Sequence, residues 1–254
     1  MATRKRIYVD FTAGPPTGGT VVPGTGAIAA VTDNVVNAFV CPGGQIMLIR
    51  NEQQNDDIVP TYTIDTDCTN GWELPIDSAA ASADAVEVSF GGISADASLP
   101  YVFKVGTDPA FELRTKIGIP DVSEVNLFVG FRKAAAYVTG ADTAAEIETA
   151  YTDKCGFSIE AGAIHCMNSN DNTDDDVDST LTWADDAVKT LTVKVSAAGL
   201  ITYQVNGTAV ATVPTTVTSL DDAELMVPYL YCSKIAANTD TPPILNYLFV
   251  GYSE

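Results

Sequence analysis

The chain has little charge for its length and very little of one sign. Charged residues make up 18% of its 254 positions, and thirteen Lys and Arg stand against thirty-three Asp and Glu, giving a net charge of −20 and an isoelectric point near 4.1. A surface of that sign repels nucleic-acid phosphates and anionic lipid, so neither nucleic acid nor a membrane surface is an expected partner. Long hydrophobic runs are missing: no stretch approaches the roughly 18 apolar residues of a membrane span. The start, MATRKRIYVDFTAGPP, has a basic cluster without the apolar segment of a secretion signal. Histidine is reduced to His165, which leaves any Ser or Cys nucleophile a single candidate base. The cysteines Cys41, Cys68, Cys155, Cys166 and Cys232 are odd in number, widely spread and without a C-x-x-C pair, the usage of reduced and mostly buried thiols. Helix signals are scarce as well. DTAAEIETAYTDK (142–154), with Asp142 or Thr143 as a cap and Ile147 and Tyr151 on one side, predicts a single short surface helix.

Alternation with a period of two is abundant. In TLTVKVS (190–196), Leu191, Val193 and Val195 face one way and Thr192, Lys194 and Ser196 the other, the pattern of a half-buried antiparallel strand. After the turn Ala197-Ala198-Gly199, Ile201, Tyr203 and Val205 continue the apolar face. Asn206-Gly207 then supplies the positive φ angles of a type I′ hairpin turn. FELRTKIGI (111–119) puts Phe111, Leu113, Ile117 and Ile119 opposite Glu112, Arg114 and Lys116. In NLFVGFRKA (126–134), Leu127-Phe128-Val129 is apolar on both faces, which predicts a central strand. VEVSF (86–90), YVFKV (101–105), CGFSIEA (155–161), ELMVPYLY (224–231) and ILNYLFVGY (244–252) complete a set of short strands. That set favours a sandwich or barrel over a parallel α/β fold.

Residues 1–60 differ from the rest. AGPPTGGTVVPGTGA (13–27) suits an extended segment and NEQQNDD (51–57) is polar. We expect an extended N-terminal arm or wrapping segment over 1–60 and a β-sandwich domain over 61–254. Arg4, Lys5 and Arg6 hold three of the thirteen basic residues, leaving a net of −23 on the following 248. This cluster, with Ile7, Tyr8 and Phe11, is the candidate anchor; it either docks on a neighbouring protein or packs on the chain's own sandwich.

Reactive constellations are few. A Glu-x-Asp-x-Glu strand, which sets two carboxylates across a sugar bond, does not occur, and neither do a P-loop, a dinucleotide fingerprint or zinc spacing. No enzymatic activity is expected. NSNDNTDDDVDST (168–180) brings Asp171, Asp174, Asp176 and Asp178 close in sequence, a set of hard oxygens for calcium, though without the central Gly and terminal Glu of an EF-hand loop. The alternative is a solvated acidic loop; no other cofactor is expected. Trp72 and Trp183 are the candidates for a sugar platform, with core packing as the competing role.

The order FELRTKIGIPDVSEVNLFVGFRKA, CGFSIEAGAIHC, TLTVKVSAAGLITYQVNGTAVATVP, ELMVPYLY and ILNYLFVGY resembles the concanavalin A-like jelly-roll sandwich of laminin G domains, legume lectins and family 16 glycanases, over about residues 70–254. The resemblance implies an all-β antiparallel sandwich whose last strand returns beside the first. The acidic, Thr/Ala/Gly-rich chain is also similar to structural proteins of tailed-phage particles. That likeness implies a virion protein made and assembled in the host cytoplasm, most simply a capsid decoration or cement protein bound to the major capsid protein. A carbohydrate-binding module for host attachment is the other reading. Exposed sandwich edges and the apolar tail with Tyr247, Phe249 and Tyr252 imply a homo-oligomer, with a trimer expected.

Overall fold

The computed structural model describes residues 6–10, 22–23, 36–40, 46–52, 61–64, 70–74, 85–89, 102–134, 151–235 and 242–253. Among these residues every regular element is a strand, and the strands form two antiparallel sheets. With strands numbered in chain order, sheet A runs β16 (Thr208–Ala209), β15 (Ile201–Val205), β14 (Ala187–Val195), β9 (Phe111–Ile119), β18 (Ile244–Tyr252), β6 (Asn70–Glu73) and β5 (Thr61–Ile64). β1 (Arg6–Asp10) also pairs with β18, beside β6 on the same flank. Sheet B runs β13 (Thr173–Thr182), β12 (Ala163–Asn170), β11 (Lys154–Glu160), β10 (Val125–Lys133), β17 (Leu225–Lys234), β7 (Ala85–Ser89), β4 (Ile46–Glu52), β3 (Val36–Val40) and β2 (Val22–Pro23), with β8 (Phe103–Lys104) on β17. The fold is a jelly-roll sandwich, and its last strand lies beside its first.

The alternation in sequence decides which side chains meet. In β9 the odd positions Phe111, Leu113 and Ile117 are buried and Arg114 is exposed. Leu191, Val193 and Val195 of β14 and Leu248 and Val250 of β18 extend that inner face. Sheet B answers with Leu127, Val129, Phe157, Ile159, Ile164 and Leu230, and the two faces close into one core. A stacked and T-shaped aromatic group, Phe103, Phe111 and Phe131, fills one end of it. At about 25 cal/mol per Å² of apolar surface removed from water, this layer supplies the main drive to fold.

β10 is the central strand that its apolar faces predict: it pairs with β11 and β17, and Leu127, Phe128 and Val129 are all fully buried. β17, central too, contains Pro228. This residue sits where β17's other neighbour changes from β8, paired up to Met226, to β7, paired from Tyr229. A residue without an N–H thus falls in a gap of the ladder. The hairpin between β15 and β16 turns on Asn206 (φ 52°) and Gly207 (φ 78°), as the Asn-Gly pair requires.

Two expectations need restating. Residues 142–150 of the predicted helix lie outside the described residues, but Thr152–Asp153 make a bend and Lys154 opens β11. The end of that segment is therefore drawn into sheet B by pairing with β12. NSNDNTDDDVDST is not a loop. It folds as a β12–β13 hairpin whose turn residues Asp171 (φ 50°) and Asn172 (φ 62°) take the left-handed conformation that short polar side chains tolerate. Within 1–60, the described residues are strands β1 to β4, joined to the sheets by backbone pairing.

Candidate functional site

Three regions of the sandwich concentrate polar chemistry. The first is the outer face of sheet B, which is buried nearly as deeply as the inner one. Here Phe128, Tyr151, Met167, Tyr229 and Tyr231 form a second apolar cluster. Facing glycines make room for it: Gly130 pairs with Gly156, and a Cβ on Gly156 would stand 2.5 Å from the tip of the Phe128 ring. Into this layer β10 sends Arg132 and β7 sends Glu87. The Arg132 guanidinium donates through Nε (3.1 Å) and Nη2 (2.7 Å) to Glu87 Oε1, while Tyr151 Oη donates to Glu87 Oε2 at 3.0 Å. The guanidinium carbon also lies 4.5 Å from the Tyr151 ring centre and 5.5 Å from that of Tyr229. Burial alone would draw the Arg132 proton off more easily, but Glu87 and the two tyrosines outweigh it and hold the guanidinium above its ordinary value. The pair, packed against the Tyr151 and Tyr229 rings, cross-links β7 to β10, and its guanidinium gives up no proton near neutrality.

Beside it, Lys133 bridges Asp153 (2.9 Å) and Glu224 (3.0 Å), and the fully buried Lys154 Nζ approaches the Tyr151 carbonyl (3.2 Å) and Asp174 (3.4 Å). Burial pushes the Asp153 carboxyl up. Hydrogen bonds from Lys133, Thr152 and the Asp171 amide more than reverse this and leave it below its ordinary value.

The second region is β13, the edge strand of sheet B. Asp174, Asp176 and Asp178 are exposed at alternate positions, and Asp175 and Val177 between them are half-buried. Each carboxylate has its own task. Asp174 faces Lys154, Asp176 lies 3.0 Å from His165 Nδ1, and Asp178 accepts from the Thr180 amide at 2.8 Å. Asp175 accepts from the Thr216 and Val217 amides. Among the described residues no group of three acidic, His or Cys side chains converges as a metal cage. Asp171, Asp174, Asp176 and Asp178, the calcium candidates, are thus set apart from one another in the described hairpin. A strand spreads alternate side chains along its length, and Asp171 is spent in the turn. His165 is paired with Asp176; Ser158, its register partner on β11, turns its hydroxyl to Glu160 (3.0 Å), and the adjacent Cys166 points into the core, where burial pushes its thiol up to about 12.

The third region is the outer face of sheet A. By register, Arg114 lies between Phe249 and Thr192, Lys116 between Tyr247 and Thr190, and Glu112 between Gly251 and Lys194. Arg114 is 45% exposed and its guanidinium stands 6.0 Å from the Phe249 ring centre. Glu112 accepts from Arg114 (2.7 Å), Lys194 (2.9 Å) and Ser253 Oγ (3.1 Å). Tyr247 and Phe249 are half-buried. β1 adds Arg6 opposite Gly251, Tyr8 opposite Phe249 and Asp10 opposite Tyr247. Four of the thirteen basic residues, Arg6, Arg114, Lys116 and Lys194, thus fall in the rows of one sheet of a chain with net charge −20.

The two tryptophans, candidates for a sugar platform, both face inward. Trp72 is 3% and Trp183 2% exposed, and both belong to the main core. Trp183 Nε1 donates to the Ala187 carbonyl at 2.9 Å, which pins the ring inward. Of the anchor candidates, Arg6, Ile7 and Tyr8 are in β1, while Arg4, Lys5 and Phe11 lie outside the described residues. Glu87 and Arg132 were not singled out by sequence, and Tyr151 was read only as part of a helix face. The available signal was a charged residue, Arg132, at the end of a strand apolar on both faces.

No protein-family model matches the chain, and no curated protein does. Among solved structures it is similar to a protein of unknown function from Shewanella oneidensis MR-1, at 10% identity over 98% of this chain and 87% of that one, with a TM-score of 0.48. It is similar also to the globular domain of T. cruzi calreticulin (11% identity, 81% and 84% coverage, TM-score 0.49). A galectin of Caenorhabditis elegans is similar over 59% of this chain and 88% of its own, at 15% identity and a TM-score of 0.33. Likeness of this degree assigns neither ligand nor activity.

Proposed function

We propose that the chain is a non-enzymatic structural protein of a virus particle, carried on the head surface as a decoration or cement protein and assembled in the host cytoplasm. What supports this reading most is the charged edge of sheet B. Asp174, Asp176 and Asp178 stand exposed along β13, where an uncharged strand would offer its free edge to the next molecule. Proteins crowded side by side on a shell need such guarded edges, and a net charge of −20 keeps them soluble there. The buried charges are consistent with this role, since Arg132 and Glu87 cross-link the scaffold, as does buried Asp153 with the half-exposed Lys133. The experiment is quantitative mass spectrometry of purified particles, in which a decoration protein appears at hundreds of copies and sediments with the heads. A handful of copies, located at the tail, sinks the head-surface reading.

A second reading, a carbohydrate-binding module, is favoured by the partly exposed Tyr247 and Phe249 beside Arg114 and Lys116. Its site is then the outer face of sheet A and not the tryptophans. Glycan-array binding that Phe249→Ala abolishes, with Trp183 untouched, selects it.

A further inference from the structure

We propose that the outer face of sheet A is the docking surface for a second copy of this chain, which seats its acidic β12–β13 hairpin on it. The inference uses only the charges and registers of the chain, so it holds or fails independently of any particle. The face carries Arg114, Lys116 and Lys194 with Arg6 in register beside them, against Glu112 and Asp10. The hairpin carries exposed Asp174, Asp176 and Asp178. Side chains two apart on a strand repeat at about 6.8 Å. Arg114 and Lys116 on β9 therefore present cations at the same interval at which β13 presents carboxylates, and a strand laid along a strand pairs them in step.

Charge also selects the orientation. Two molecules of net charge −20 repel one another over most approaches, and the approach that brings the cationic rows to the acidic hairpin escapes that repulsion. Asp174 and Asp176 already face Lys154 and His165, but a carboxylate has about four lone-pair sites and accepts a further donor without releasing the first. The half-buried Tyr247 and Phe249 lie in the same rows and give the contact an apolar part that salt does not screen. The patches on the two partners are different, so the contact is heterologous and copies join head to tail; a rotation that closes gives a ring. A ring of three is the trimer expected from the sequence.

The test is native mass spectrometry and light scattering of the purified full chain at about 0.01 M and about 1 M salt, between which the screening length falls from roughly 30 Å to roughly 3 Å. We expect a closed oligomer that dissociates at least about tenfold more readily in high salt, as surface charge contacts do. Arg114→Glu with Lys116→Glu gives a monomer at low salt, and so does Asp174→Lys with Asp176→Lys. Mixing the two variants restores association, because each retains the patch that the other lacks. Circular dichroism checks that each variant is folded, and a Lys116→Cys, Asp178→Cys pair provides a second route through intermolecular disulfide capture. A wild-type monomer at low salt overturns the inference, as does an oligomer indifferent to both charge reversals. A monomer that is retained on heparin through Arg114 and Lys116 also overturns it, and assigns the face to an anionic polysaccharide.

Discussion

Arg132 and Glu87, 45 residues apart in sequence, meet as a fully buried ion pair at 2.7 Å between two neighbours of the central strand region of sheet B. Glu87 is opposite Tyr231 on β17, and Arg132 is on β10 at the other side of that strand, so the pair reaches across β17 and ties three strands together. Removing one partner strands the other charge. Glu87→Gln is expected to cost about 3–5 kcal/mol, read as a lowered urea midpoint, whereas Glu87→Leu with Arg132→Met together recovers most of the loss. If the single and double variants are equally unstable, the pair is not the source.

Tyr229 lies in the same layer with no accessible surface, and its hydroxyl has no hydrogen-bond partner among the described residues. Burial first, and then the nearby Glu87, push that hydroxyl well above its ordinary range, so it stays protonated and unpaired. A buried donor left unsatisfied costs roughly 1–3 kcal/mol. Tyr229→Phe keeps the ring contacts with Phe128 and Tyr151 and is expected to leave stability unchanged or raise it by about 1 kcal/mol in equilibrium unfolding. A marked loss of stability argues that the hydroxyl is satisfied.

Acid acts on Asp153. Its folded value lies below the ordinary 3.8, so the carboxylate contributes stability above that pH and loses it as pH falls through the folded value. The melting temperature is expected to drop steeply below about pH 4. Asp153→Asn lowers it at neutral pH and flattens the acid limb. Its partner Lys133 is raised, so its share persists below the unfolded value and is lost only as pH climbs through a folded value above 10.5.

The legible part of this protein is where burial and period two coincide. FELRTKIGI, TLTVKVS and ILNYLFVGY declare their inner faces, and Asn206-Gly207 declares its turn, because each rests on neighbours close in sequence. β13 was not legible as a strand, since Asp is a poor strand former; pairing with β12 and a place at the sheet edge override that preference. An Asp171-Asn172 pair between two runs is the turn signal that marks this hairpin. The Arg132–Glu87 pair was hidden for another reason: it depends on which strands are brought together across 45 residues, and no local pattern encodes that.

Tryptophan burial gives a spectroscopic prediction. Trp72 and Trp183 are both in the core, so the native emission is expected to be blue-shifted and poorly quenched by iodide. Trp183→Ala is expected to cost about 3–5 kcal/mol through the cavity it leaves. Red-shifted, readily quenched emission means that an indole is open to solvent and reopens the platform reading.

The charged edge carries the last prediction. Among the described residues β13 pairs with β12 on one side and forms the boundary of sheet B on the other, where its outward backbone groups face no strand of these sheets. Asp174, Asp176 and Asp178 repeat at alternate positions there, and a second β13 laid against the first would bring like charges together at every step. Replacing all three by Thr removes that repulsion and raises strand propensity at once. The monomer fold keeps its core, because none of the three carboxylates belongs to it. Asp174→Thr also takes a carboxylate away from the buried Lys154 and lowers stability for that reason, so Asp176→Thr with Asp178→Thr alone is the control that preserves the contact. Both variants are expected to aggregate in heated or concentrated solution well before the wild type, with thioflavin-positive material and turbidity as the readout. If the triple variant stays as soluble as the wild type under the same conditions, the carboxylates do not guard this edge, and the argument from the edge to a crowded particle surface loses its support.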